Sequence, residues 1–276
     1  MKTATTTSLS NNLAIVSDGY TKILPDRTSS IKLDKPVMIA GFPDIGMVGS
    51  ISTAHLIGQL GMHQIAYIES QYVMPAAIFI AKKFRHPFRI YANEAGTVCA
   101  LICEVPVIVR GTHSIISTII DWSENAGVKE VVVLGGILPT NFSPPYLLER
   151  KPLILQNEIT FDIKYADPDS TGQMAVPDDA LIVGLAGSLL SASSARGLKC
   201  KAIMIPTMSE APDPEGAAIV LESLQKIPLK LDIDTTSLRR RAEAIRRHLE
   251  ELLKMHKQQM HEYERTAGRD TERIYK

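Results

Sequence analysis

Glu130-Val131-Val132-Val133-Leu134-Gly135-Gly136 is a run of β-branched and apolar residues, ending on two glycines, that never alternates with polar ones. A strand with one wet face alternates, so this run belongs to a strand covered on both faces, as in a parallel sheet held between helix layers. Just upstream, Gly111 to Gly127 carries Ile115, Ile116, Ile119, Ile120 and Trp122 at helical spacing and ends on a glycine suited to a C-cap. Before that helix, Val98 to Val109 is rich in β-branched residues and stops as a strand at Pro106.

The same alternation extends in both directions. Val37-Met38-Ile39-Ala40 reads as a strand, followed by a glycine loop and a helix from Met47 to Leu60. Gln64 to Ser70 and Ala76 to Ala81 read as further strands, and the cationic stretch Lys82 to Arg89 reads as an exposed turn. Downstream come strand signals around Ile159 to Tyr165, a helix from Leu181 to Ala195, a strand from Lys201 to Pro206 and a helix from Pro214 to Lys226. Strands alternating with helices predict an open three-layer α/β sandwich with a mostly parallel central sheet. The expected organisation is a polar lead-in over 1–34, a core domain over 35–234, a helix over 235–261 and a flexible tail over 262–276.

The late helix is capped in this reading by Ser237. It carries a heptad-like stripe of Leu238, Ile245 and Leu252 with Ala242, Leu249 and His256 between them. Such a stripe either packs on its own domain or mediates self-association.

The 276 residues include 45% hydrophobic and 22% charged residues, which calls for a packed core. Lys plus Arg and Asp plus Glu number 30 each, so no overall field favours nucleic acid. Cys99, Cys103 and Cys200 lie in or beside apolar runs, fit a reducing compartment and lack the partners of a zinc site. The polar start carries no secretory apolar stretch, and no window reaches the roughly 20 apolar residues of a spanning helix. A cytoplasmic protein away from membranes is expected.

Catalytic patterns are missing. The histidines form no H-E-x-x-H pair, and Ser188, Ser191, Ser193 and Ser194 sit on a helix without a nucleophile elbow. Glu69, Glu94, Glu104 and Asp121 give no recognisable acid/base pair. No catalytic residue, metal or cofactor is expected. Two features remain. In Gly41-Phe42-Pro43-Asp44-Ile45-Gly46-Met47-Val48-Gly49, the glycines Gly41, Gly46 and Gly49 join strand to helix without the dinucleotide spacing or a P-loop lysine. The loop is either a tight structural turn, with Asp44 capping the helix, or an anion cradle. The chain ends Ile274-Tyr275-Lys276, an apolar anchor, an amphipathic ring and a terminal carboxylate suited to a pocket that captures C-termini.

Together these motifs make the chain resemble the proteasome assembly chaperone 2 family in its archaeal form. The resemblance rests on the Gly41–Gly49 loop, Pro75, Gly127-Val128-Lys129-Glu130 leading into Leu134-Gly135-Gly136, and Gly184-Leu185-Ala186-Gly187. It continues through Arg196-Gly197 and Pro212-Asp213-Pro214-Glu215-Gly216-Ala217-Ala218. It implies a sandwich similar to nucleoside phosphorylases and a homo-oligomer, or a pairing with a family relative. It also implies a chaperone or activator on the α-ring of the proteasome core particle, its hydrophobic-tyrosine-any tail falling on Ile274, Tyr275 and Lys276. Here Pro43-Asp44 stands where the family more often has Pro-Gly, and the stretch after Glu104 lacks the usual glycine-rich turn. The competing reading is a phosphorylase-like or ATP-dependent ligase-like enzyme that holds phosphate with Gly46 and Gly49.

Overall fold

The strand centred on Val131–Val133 lies inside a nine-stranded sheet in the computed structural model, which describes residues 15–80, 82–143, 150–157, 174–207, 211–229 and 231–244. The chain divides into two compact units, Met1–Thr235 and Thr236–Lys276. The first unit begins with β1 (Val16–Ser17), β2 (Thr21–Pro25), β3 (Val37–Gly41), α1 (Val48–Gln59) and β4 (His63–Ser70). It continues with β5 (Ile78–Ile80), β6 (Lys83–Arg85), β7 (Phe88–Ala92), β8 (Val98–Cys103), α2 (Thr112–Asn125) and β9 (Glu130–Ile137). Its last elements are β10 (Phe142–Ser143), β11 (Leu153–Gln156), β12 (Asp179–Ala180), α3 (Gly184–Ala195), β13 (Lys199–Pro206) and α4 (Pro214–Leu224). The large sheet has the order β1-β2-β4-β7-β8-β3-β9-β13-β11, while β5–β6 and β10–β12 form separate two-stranded pairs.

The sheet is mixed, which corrects the mostly parallel expectation. Only its centre is parallel, β8 on β3, β3 on β9 and β9 on β13. The flanks β1-β2-β4-β7-β8 and β13-β11 are antiparallel. Helices cover both faces of the centre. Met38, Ala40, Val131, Val133, Ala202 and Met204 share a cluster with Ile115, Ile119 and Leu189 of α2 and α3. Their strand neighbours Ile39, Val132, Leu134, Ile203 and Ile205 are buried too, and alternation turns them to the opposite face. There α1 packs on α4, both against β9, so the architecture is three-layered.

Two expectations fail for physical reasons. The lead-in does not last to residue 34, because β2 pairs antiparallel with β4 and buries Ile23 completely. Thr21 Oγ1 hydrogen-bonds Ser70 Oγ at 2.9 Å and Ser114 Oγ at 2.7 Å, tying the strand to α2. The cationic stretch is not a turn throughout, because Phe88–Ala92 is a wholly buried strand and Arg89 is 1% exposed. Its guanidinium pairs with Glu104, placed beside it by the antiparallel β7–β8 register. A buried cation is tolerated only when paired.

Other boundaries shift slightly. The expected helix over 181–195 begins at Gly184, and the one ending at Lys226 stops at Leu224. Asp213 caps that last helix by accepting a hydrogen bond from Gly216 N at 2.9 Å, with Pro214 in its first turn. Gly127 takes the left-handed conformation after α2, φ +70°. The strand expected around Ile159 to Tyr165 lies outside the described residues. The second unit is described only over residues 236–244, which are helical from 236, one residue before the expected Ser237 cap. Ile245, Leu249, Leu252 and His256 of the stripe lie outside the described residues, as does the tail over 262–276.

Removing Glu104 would strand a buried charge. Glu104→Ala is expected to cost about 3–5 kcal/mol of unfolding free energy. Urea denaturation measures it, and a loss below about 1 kcal/mol would show that Arg89 does not depend on its partner.

Candidate functional site at the carboxyl ends of the parallel strands

The parallel strands β8, β3, β9 and β13 end at Cys103, Gly41, Ile137 and Pro206, so their carboxyl ends open on one edge of the sheet. Ligands in open α/β sheets bind on that edge. The loop after β3 is shaped there by close packing. A Cβ on Gly41 would stand 2.1 Å from the Gly49 carbonyl oxygen, and one on Gly49 would stand 2.4 Å from that of Leu134. Gly46 has φ +66°, and its carbonyl accepts a hydrogen bond from Asp213 N at 2.8 Å, linking the loop to the start of α4.

Asp44 closes the arrangement. Its Oδ1 accepts from Gly49 N in the first turn of α1 at 3.2 Å, and its Oδ2 accepts from Gly136 N of β9 at 2.9 Å. Asp44 is only half-buried by surface area, yet its carboxyl sits deep enough for burial to push its pKa up to about 7, against the opposing pull of the Gly136 and Gly49 amides. Beside it lies a cavity of about 260 Å³. Phe42, Val107, Ile137, Leu185 and Met204 are among its walls, and Asp44, Thr112 and Asn141 are its polar side chains.

Of the residues singled out in the sequence, Gly41, Asp44, Gly46 and Gly49 therefore meet at one point, together with Gly136 and Asp213. Gly184, Leu185 and Ala186 join them as cavity walls. The acidic residues do not gather, since Glu104 pairs with Arg89 and Asp121 with Arg196, which also binds Glu124. Arg150, unremarked in the sequence, pairs with Asp213 and stands 3.5 Å from Glu215. All three cysteines are free and buried, and burial pushes Cys103 and Cys200 up to about 12. Among the described residues no group of three or more His, Cys, Asp or Glu could hold a metal ion, and no helix is long and apolar enough to cross a membrane. Ile274, Tyr275 and Lys276 lie outside the described residues.

The chain belongs to the PAC2 family, whose model matches residues 38–253. It is similar to a Thermoplasma acidophilum protein of unknown function, 28% identical, with TM-score 0.65 over 84% of this chain and 91% of that one. It is also similar to Pyrococcus furiosus PbaA, an archaeal homolog of proteasome-assembly chaperone, 24% identical, with TM-score 0.72 over 93% and 100% of the two chains. Pyrococcus furiosus PbaB, an archaeal proteasome activator, is 22% identical, with TM-score 0.67 over 84% and 98%. The two Pyrococcus likenesses establish a shared fold.

The Asp44 carboxyl makes stability depend on pH. The folded chain holds its proton up to about pH 7, whereas an unfolded aspartate releases it near its ordinary value of 3.8. Folding thus binds a proton between those values, and the contribution is full below about pH 4 and lost as pH rises to about 7. Asp44→Asn cannot ionise and is expected to flatten the urea midpoint between about pH 5 and pH 8. Parallel wild-type and variant profiles would refute a buried, protonated Asp44.

Proposed function

We propose that this chain is a proteasome assembly chaperone or activator that docks on the α-ring of the core particle through Ile274-Tyr275-Lys276 and works as an oligomer. The observation that carries this reading is membership of the PAC2 family over residues 38–253 in a chain whose last residues have the hydrophobic-tyrosine-any form. The descriptions of PbaA and PbaB as chaperone homolog and activator point the same way. In the docked state the terminal carboxylate pairs with a cation, Tyr275 fills a cleft with its hydroxyl kept polar, and Ile274 buries its branched side chain. Several tails on one ring add through effective concentration.

The enzyme reading is less well supported. An anion cradle needs free amides at the helix start, and the Gly49 and Gly136 amides already donate to Asp44. A phosphate brought to that point would meet a carboxyl group. Calorimetry with phosphate, nucleosides and ATP is expected to show no saturable binding, and tight binding of any of them would favour the enzyme.

The docking reading is tested by capture of core particle on immobilised protein. Tyr275→Ala, or deletion of the last three residues, is expected to abolish or greatly weaken capture while leaving the melting temperature nearly unchanged. One residue added after Lys276 does similar harm by moving the carboxylate by roughly 3.3–3.6 Å. Substitution of Lys276 is tolerated, since only its carboxylate is asked to bind. Undiminished capture by the truncated chain would move docking away from the tail.

A further inference from the structure

The first unit turns two apolar features to solvent. One is the β5–β6 hairpin, which stands outside the nine-stranded sheet. Ile78 packs against the core, while the cross-strand partners Phe79 and Phe84 are 68% and 62% exposed, edge to face with ring centroids 5.9 Å apart. Lys82, Lys83 and Arg85 make the hairpin basic. The other feature is the cavity beside Asp44, rimmed by Val109, Leu181 and Val183, which are 86%, 62% and 59% exposed. Asp178 and Asp179, also exposed, precede Leu181 and make that side of the rim acidic. Clustered exposed apolar side chains mark interaction surfaces.

We propose that the Phe79–Phe84 hairpin of one copy seats one ring in the Asp44-side cavity of a second copy and lays the other on its exposed Val109, Leu181 and Val183 rim. The inference rests on the oligomeric part of the function proposed above and names its contact. Size permits one enclosed ring, since a dry cavity of about 150 Å³ takes up benzene and this one measures about 260 Å³. Charge selects a second copy as the occupant, because basic hairpin and acidic rim are complementary halves carried by the same chain. A formal net charge of +0 leaves no overall repulsion between copies. Buried aromatic anchors of this kind carry most of the energy of an interface.

Light scattering over a concentration series is expected to show that Phe79→Ser with Phe84→Ser weakens self-association at least about 100-fold, with the circular dichroism spectrum kept because both residues are exposed on the single folded chain. A second measurement does not depend on that variant folding. A Phe84→Cys chain mixed with a Val183→Cys chain under mild oxidation is expected to form a covalent two-chain species faster than either chain alone, the native cysteines being buried. If wild type stays monomeric throughout, both this contact and the oligomeric reading are overturned. If an oligomer forms but neither the serine variant weakens it nor the mixed cysteines cross-link, the hairpin contact alone is overturned and self-association belongs elsewhere. Core-particle capture by tail variants reports on docking separately.

Discussion

Asp44 supplies from within the chain the acceptor oxygens that helix starts and strand ends usually take from a ligand. The amide of Gly49 in the first turn of α1 and the amide of Gly136 in β9 both donate to its carboxyl, 92 residues apart in the second case. That bridge fixes the loop after β3 against the neighbouring strand. It works only if the backbones come close, hence the missing side chains at Gly41 and Gly49. The cost is a carboxyl drawn out of water, visible as a pKa raised to about 7. Asp213 extends the brace by donating its amide to Gly46 and capping α4, so the loop, the parallel centre and the last helix of the first unit share one set of hydrogen bonds.

Around that centre the sheet changes character. Parallel strands need helices on both faces, and four helices cover four of them. Beyond β8 and β13 the pairing turns antiparallel and the outermost strands are short, β1 with two residues and β11 with four. Short edges limit pairing with other chains. Arg89, the one buried cation among the described residues of the flank, is held by Glu104 and lies 5.6 Å from the centre of the Tyr91 ring.

What could be read in the sequence follows from how local each signal is. Glu130 to Gly136 is legible because burial on both faces removes alternation, and α2 because its isoleucines recur at helical spacing. β7 is not, since Arg89 looks solvated until a glutamate 15 residues later is brought alongside. β2 hides because Lys22 is exposed between Thr21 and Ile23 and only one strongly apolar residue faces inward. At the site, the glycines announce a tight loop and Asp44 a helix cap. The bridge to Gly136 is a long-range contact that no spacing reveals, although Gly135-Gly136 inside a buried strand signals that something comes close. The exposed rim of Val109, Leu181 and Val183 comes from separate connections and has no sequence pattern.

The oligomer and the tail answer different physical needs on the proposed reading. A tripeptide and its carboxylate bury too little area for firm binding alone, whereas linked copies convert each further tail contact into an intramolecular event. Linking must then come from a surface other than the tail, or the two contacts would compete for the same residues. The hairpin and the cavity belong to the first unit, and Ile274, Tyr275 and Lys276 to the second. Self-association through the former therefore leaves the terminal carboxylates unspent, and the number of tails presented is set by the contact between folded units rather than by the affinity of any one tail.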